Sequence, residues 1–124
     1  METVHKTLQQ KIEDSSRLLL KYPDRIPLII EKEMSDSFLN LKNCKYLIPK
    51  DMTVGDFLCI IRTKINKTFN EKKAIFTFVK SVDKFNNSSY ILIPMNNIMG
   101  DIYRTYKLND GYLYIKFGIE NTFG

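Results

Sequence analysis

The spacing of apolar residues divides the chain into segments with helical and with extended periodicity. Over residues 7–22 apolar side chains recur about every 3.6 positions, which predicts helix, and the polar triplet 14–16 predicts a break between two short helices. Thr53 precedes a second amphipathic segment, and we expect it to cap a helix that continues to residue 66. A further short helix is predicted over residues 95–107.

Extended segments separate these predicted helices. Runs rich in β-branched and aromatic residues predict strands at 26–33, 45–48, 74–79 and 112–117. The stretch 80–90 is rich in asparagine and serine, which predicts a surface loop. A hairpin, a crossover helix and two further strands make an α+β fold, in which a mixed four-stranded sheet packs against a helix. This is the β-grasp arrangement.

The length of 124 residues predicts a single domain. We divide it into a helical extension at 1–24, a body at 25–118 and a flexible tail at 119–124. No apolar run approaches the ~20 residues that a membrane span requires, and the first residues lack the apolar stretch of a signal peptide. Any membrane attachment is therefore expected to be covalent or to arise from surface contact.

Charge and cysteine content narrow the possible functions. The net charge of +5 favours acidic partners or anionic membranes, but it is spread along the chain, so we expect no nucleic-acid binding. Cys44 and Cys59 fit neither a disulfide framework nor a metal site; we expect Cys59 in the core and Cys44 at the surface. His5 is the only histidine, so no thiol catalysis is predicted. We predict a protein that is not an enzyme and carries no cofactor or metal.

Gly124 stands at the end of the sequence, beyond the last predicted strand. An exposed glycine carboxylate is what an activating enzyme needs in order to adenylate a protein at its C-terminus. Glycine has no Cβ and can enter a narrow enzyme channel that would exclude any side chain. Many chains end in glycine without such a role, and termini are usually disordered. The tail therefore indicates a protein modifier only if the body is of the matching kind.

Several motifs along the chain occur in an order typical of one family. They are KYPDRIPLIIEK at 21–32, KYLIP at 45–49, MTVGDF at 52–57, MGDIY at 99–103 and DGYLYI at 110–115. Together they resemble the autophagy-related ubiquitin-like modifiers of the GABARAP type, over nearly the whole chain. The resemblance implies a ubiquitin-like β-grasp preceded by two N-terminal helices.

The resemblance also implies a conjugation cycle for Gly124. The glycine is activated, passed through cysteines of an activating and a conjugating enzyme, and joined to the amine of phosphatidylethanolamine. Two acyl chains then anchor the protein stably, where one would be marginal. A delipidating cysteine protease is a further implied partner. We expect the protein in the cytoplasm when unconjugated and on autophagosomal or vesicle membranes, or on the apicoplast membrane, when lipidated.

A peptide-binding site is implied along strand 45–49. Cargo receptors carrying an aromatic-x-x-aliphatic motif would add a strand there and fill two pockets. The residues that match the first pocket are Asp14, Leu18, Pro27, Ile29, Lys45, Leu47 and Tyr112. Those that match the second pocket are Tyr46, Ile48, Pro49, Met52, Phe57 and Ile60. Arg62 and Lys64 match the cationic side that meets acidic residues next to the motif.

Strand geometry places a condition on this site. Tyr46 and Ile48 face opposite to Lys45 and Leu47, so both pairs can serve one peptide only at a sheet edge with surface on both sides. Without the resemblance, Ile29, Leu47 and Phe57 would be predicted as core.

The sequence departs from the family pattern at two places. Asn43 and Cys44 stand where relatives usually have lysines, which predicts weaker recognition of acidic flanks. The stretch 80–92 is longer than usual and resembles an insertion in apicomplexan members; with the lysine and asparagine bias, it predicts a parasite origin. Two alternatives stay open. One is a non-covalent ubiquitin-like adaptor in which Gly124 is incidental, and the other is a microtubule-binding protein, which only the basic charge supports.

Overall fold

The computed structural model describes residues 6–31, 44–64 and 74–119. Three helices and five strands occur in these ranges. The helices are α1 (Leu8–Lys21), α2 (Val54–Arg62) and α3 (Met99–Tyr106). The strands are β1 (Arg25–Ile30), β2 (Lys45–Pro49), β3 (Ile75–Val82), β4 (Ser88–Leu92) and β5 (Leu113–Ile119).

The five strands form one mixed sheet in the order β2-β1-β5-β3-β4. Only the central pair, β1 with β5, is parallel among these neighbours; the other three pairs are antiparallel. The predicted α+β β-grasp is confirmed, with five strands rather than four. The last of the described strands therefore lies in the middle of the sheet.

The hydrophobic core fills the space between one face of the sheet and helices α2 and α3. Alternate residues of the central strands point into it, as the two-residue period of a strand requires. The most deeply buried members are Leu28, Ile30, Val54, Phe57, Ile61, Val79, Met99, Leu113, Ile115 and Phe117. The opposite face of β1 and β5 is the one on which α1 lies.

Helix α1 is continuous across the triplet that predicted a break. It begins at the N-cap Thr7, whose side chain accepts a hydrogen bond from Gln10 N–H while the Gln10 side chain accepts one from Thr7 N–H. Ser15 caps no second helix. Its hydroxyl is buried and donates to the Asp110 carbonyl at 2.7 Å, so a tertiary partner satisfies the polar group. The prediction of two N-terminal helices is wrong within the described residues.

The starts and ends of the other helices follow local hydrogen bonds. Thr53 caps α2 as predicted, because its hydroxyl accepts from Asp56 N–H at 3.1 Å. The helix ends at Arg62, earlier than predicted. Helix α3 begins only at Met99, since a turn at 94–97 precedes it and Met99 N–H donates to the Met52 carbonyl at 2.8 Å.

The predicted loop at 80–90 is wrong, because most of it is a β-hairpin. β3 continues to Val82 and pairs with β4 from Phe78↔Leu92 to Val82↔Ser88. The turn is held by Asp83, whose Oδ1 accepts the N–H groups of Phe85 and Asn87, each at 2.9 Å. The asparagine- and serine-rich composition thus marks a tight turn and an exposed strand.

Both cysteine predictions need correction. Cys59 is exposed, because Val54, Phe57, Leu58 and Ile61 define the buried face of α2 and residue 59 falls on the other side. Cys44 is partly buried and packs against the core, where its carbonyl accepts from Ile30 N–H at 2.7 Å. No helix among the described residues is long and apolar enough to cross a membrane.

Candidate peptide-binding edge

Strand β2 lies at one edge of the described sheet. It pairs antiparallel with β1 from Arg25↔Pro49 to Ile29↔Lys45, and no other described strand lies beyond it. The predicted peptide site requires this geometry, because a peptide can pair with the backbone of an edge strand and place side chains on both faces of the sheet. We call Lys45–Pro49 and the side chains that flank it on its two faces the β2 edge.

On one face of the β2 edge, residues of β2 meet α2. The Tyr46 and Phe57 rings form an edge-to-face pair with centroids 5.9 Å apart. Phe57 and Ile48 are buried, so they form the floor of this region, while Tyr46 and Met52 are half-buried. Burial, with Cys44 nearby, raises the pKa of the Tyr46 hydroxyl.

Pro49 and Ile60 complete the set predicted for the second pocket, and both are exposed. The structure thus places an exposed aliphatic residue of α2 and the end of β2 around a buried aromatic floor. That arrangement can accept an apolar side chain from solvent.

On the other face, Lys45 of β2 contacts Tyr112, the residue just before β5. The Lys45 Nζ lies 5.0 Å from the centroid of the Tyr112 ring, a cation–π contact. Leu18 and Leu47 are half-buried, and the register pairs Leu47 with the buried Pro27. A second partly apolar region therefore adjoins the same strand, on the opposite side from Tyr46. Ile29, the remaining apolar member of the predicted first pocket, is half-buried and pairs with Lys45.

Charge at this second face is concentrated around Asp14. The Lys6 ammonium donates to Asp14 Oδ2, and Arg17 lies 3.3 Å from Oδ1. These cations, with Lys45, hold the pKa of the Asp14 carboxyl below its usual range, the hydrogen bond from Lys6 contributing most. The surface beside Lys45 thus combines one carboxylate with several cations.

The Asp110–Gly111 turn holds α1 against this face, a role that sequence reasoning missed. The Asp110 carboxylate accepts hydrogen bonds from Tyr112 N–H at 2.9 Å and from the Tyr114 hydroxyl. Its backbone carbonyl accepts from Ser15 of α1. An Asp-Gly pair before a strand signals a turn, but nothing in the sequence pairs it with Ser15.

Tyr112 and Tyr114 are buried next to this turn. Burial and the bond to Asp110 raise the pKa of the Tyr114 hydroxyl above its usual range. The Tyr112 hydroxyl is buried and has no hydrogen-bond partner among the described residues. A buried hydroxyl in that state can gain a bond when a ligand reaches it.

The remaining predicted residues lie at the end of α2 or outside the described ranges. Arg62 is the last residue of α2, and Lys64 follows it, its N–H donating to the Ile61 carbonyl at 2.8 Å. Gly124 and Asn43 lie outside the described residues. No cluster of three or more His, Cys, Asp or Glu side chains that could hold a metal occurs in the described part of the chain.

Comparison with known proteins identifies the family. The family model for "Autophagy protein Atg8 ubiquitin like" matches residues 10–124. The chain belongs to the Atg8 family. It is 40% identical to autophagy-related protein 8a of Arabidopsis thaliana over 117 residues, which are 94% of this chain and 87% of that protein. Autophagy-related protein 8 of Schizosaccharomyces pombe is 39% identical over 118 residues, 95% of this chain and 88% of that protein.

Solved Atg8 structures share the fold. The Trypanosoma brucei ATG8 crystal structure superposes with a TM-score of 0.73 at 32% identity, covering 96% of this chain and 93% of that one. Plasmodium falciparum Atg8, solved in complex with a P. falciparum Atg3 peptide, gives 0.70 at 28% identity, covering 91% and 90%. The predicted family and ubiquitin-like fold are confirmed, so this is a ubiquitin-like autophagy protein. The apicomplexan origin stays a prediction.

Proposed function

We propose that this Atg8-family protein is a modifier that is joined through Gly124 to phosphatidylethanolamine during autophagosome formation, and that its β2 edge recruits partners to the membrane. Service at the membrane of a plastid-like organelle is part of the same proposal. The protein itself performs no catalysis; upstream activating and conjugating enzymes carry the thioester chemistry, and a cysteine protease removes the lipid.

The observation that carries the recruiting role is the position of β2. It is an edge strand with half-buried apolar side chains on both faces, Tyr46 on one and Leu47 on the other. A partner peptide in extended form can add to such an edge through backbone hydrogen bonds, while alternate side chains enter regions on the two faces. An aromatic-x-x-aliphatic spacing suits this arrangement, because residues three positions apart on a strand point to opposite sides.

The expected affinity follows from the size of the contacts. Burying one large apolar side chain yields roughly 1.5–3 kcal/mol. Two such contacts and a few backbone bonds, less the entropy of ordering a flexible peptide, give micromolar binding. Affinity in that range suits recruitment to a membrane where many copies are displayed, because several weak contacts then act together.

We also propose that the conjugating enzyme uses the β2 edge. P. falciparum Atg8, a relative of this chain, has been solved in complex with an Atg3 peptide. An enzyme docked at Lys45–Pro49 would hold its thioester cysteine near the tail and raise the encounter rate with the lipid-bound amine. Conjugation and partner recruitment would then share one surface.

Substitution at the terminal glycine tests the conjugation reaction. Gly124→Ala should leave folding unchanged, since terminal residues generally contribute little to stability, and should abolish attachment to vesicles containing phosphatidylethanolamine in a reconstituted reaction. The readout is the lipid-modified mass, followed by flotation with the vesicles and release by phospholipase.

A matched control is Leu20→Ala, which removes a side chain that is 86% exposed on α1 and far in sequence from the tail. This variant should be lipidated like the wild type. Lipidation of Gly124→Ala at the wild-type rate would overturn Gly124 as the conjugation site, and a wild type that is not lipidated at all would favour the non-covalent adaptor.

A further inference from the structure

The two edges of the described sheet differ in how they discourage pairing with other strands. β2 carries Lys45 and ends at Pro49, and lysine and proline on an edge both impede the addition of an identical strand. β4 has no charged residue and no proline between Ser88 and Leu92, and all five of its residues are exposed. The β4 edge, defined as Ser88–Leu92, therefore lacks the usual protection.

Backbone groups on the outer side of the β4 edge are directed away from β3. Ile93 N–H donates to the Thr77 carbonyl, and Asp83 N–H donates to the Asn87 carbonyl, so the odd-numbered residues of this ladder bond to β3. Antiparallel ladders alternate, and Ser88 and Leu92 consequently direct their N–H and C=O groups outward. No described strand lies beyond β4.

Apolar side chains flank this backbone on both faces of the sheet. Leu92 is 54% exposed on the face that also bears Tyr90, and Ile91 is 38% exposed on the face toward α3. Beside Ile91 lies a groove of about 360 Å³ between β4 and α3, whose apolar lining includes Pro94, Ile102 and Tyr106. The groove has room for another aliphatic side chain.

We propose that β4 pairs antiparallel with β4 of a second copy of this chain, about a two-fold axis at Ile91. Only residues whose N–H and C=O groups point away from β3 can hydrogen-bond to the second copy, so even-numbered residues of one β4 must lie opposite even-numbered residues of the other. With the axis at Ile91, Leu92 faces Tyr90 of the second copy, and the two Ile91 side chains lie side by side at the grooves next to α3. Every cross-strand pair among these three residues is apolar, and such pairs stabilise antiparallel strands.

The absence of charged residues on the β4 edge favours a second copy over an acidic peptide as the occupant. No charge lies within Ser88–Leu92 to attract an acidic strand or to repel an identical one. Each copy carries a net charge of +5, so self-pairing is opposed only by long-range repulsion, which salt screens. A contact of one short strand is small, so the dimer is weak and transient in solution. This inference is independent of the conjugation proposed above.

Sedimentation equilibrium of the full chain tests the pairing. The average mass should rise with protein concentration toward that of a dimer, and more steeply at high salt. Leu92→Lys should stay monomeric at every concentration, because a charge on an edge strand opposes pairing. Leu20→Lys, the same change at an exposed leucine of α1, should associate like the wild type. A wild type that stays monomeric at millimolar concentration, or equal association of the two variants, would overturn the proposal.

Disulfide trapping tests the register. With Cys44 and Cys59 replaced by alanine, Ile91→Cys should cross-link when diamide oxidises the two thiols, since residues on the axis form a non-hydrogen-bonded pair with Cα atoms about 4.5 Å apart. Ser89→Cys should cross-link far more slowly, because in this register it faces Ile93 of the second copy. Equal rates, or faster cross-linking at Ser89→Cys, would overturn the pairing, as would β4 amide shifts seen only when a foreign peptide is added.

Discussion

At the scale of single residues, Gly111 shows how one position ties two parts of the molecule together. Its φ is +87°, in the left-handed region that residues with a Cβ rarely adopt. A Cβ there would lie 2.1 Å from Ser15 Oγ and 2.8 Å from Ser15 Cβ. Glycine at 111 therefore allows both the turn before β5 and the close approach of α1.

Gly111→Ala should accordingly destabilise the fold. Backbone strain of this kind costs about 1–3 kcal/mol, and displacement of Ser15 adds the loss of its bond to Asp110. The measurement is urea denaturation of the variant beside the wild type. Adding Ser15→Ala removes the clashing oxygen, so the double variant should lose less than the sum of the single losses. Strict additivity would contradict the proposed overlap.

Burial at the β2 edge separates side chains that a peptide can reach from those that hold the pocket in place. Leu47 is half-buried on the edge strand, whereas Phe57 is fully buried beneath it. Truncating Phe57 would chiefly damage the fold, and truncating Leu47 removes apolar surface that the peptide can cover. The two residues were predicted for the same site, and the structure gives them different roles in it.

Leu47→Ala should therefore weaken binding of a peptide with an aromatic-x-x-aliphatic core and an acidic flank by about tenfold, equivalent to ~1.4 kcal/mol. Isothermal titration calorimetry on folded protein measures the change. Leu20→Ala serves as the control and should bind like the wild type. Equal affinity of Leu47→Ala and the wild type would place the peptide elsewhere.

At the scale of elements, the sequence predicted those whose signals are local. Thr53 and the apolar residues of α2 are close together in the sequence, and the cap was predicted correctly. The triplet 14–16 carries the signal of a helix start, but Ser15 is satisfied by Asp110, 95 residues away. No local pattern records such a partner, so the break was predicted wrongly.

The β3–β4 hairpin was not predicted, for a related reason. Asparagine and serine are typical of turns, and here they occupy both a turn and a strand whose five residues are all exposed. A strand without a buried face lacks the alternation by which strands are recognised. By contrast β2 was predicted, because it combines a core-facing Ile48 with a proline stop. The hypothesis of a peptide site required β2 to lie at a sheet edge, but only the strand order in the structure established that position.

At the scale of the whole molecule, the proposed shared surface would make conjugation and recruitment compete. Excess peptide bound at the β2 edge should slow lipidation of the wild type in a reconstituted reaction, and the double variant Lys45→Ala, Tyr46→Ala should be lipidated slowly without peptide. The rate of formation of the lipid-modified mass is the measurement. A peptide with alanine at its aromatic position controls for nonspecific effects. An unchanged rate at saturating peptide would mean that the enzyme docks elsewhere.

The central position of β5 has a consequence for the order of events in the cell. β1 and β5 are neighbours in the sheet but lie at opposite ends of the chain, so the sheet cannot close until the last strand has been synthesised. A nascent chain without β5 has two separate strand pairs and no partner for the inner side of either. The closed sheet can form only once residue 119 has been synthesised, so folding of the body follows its translation rather than accompanying it. A chain truncated before β5 would accordingly keep its two strand pairs but lack the strand that joins them into one sheet.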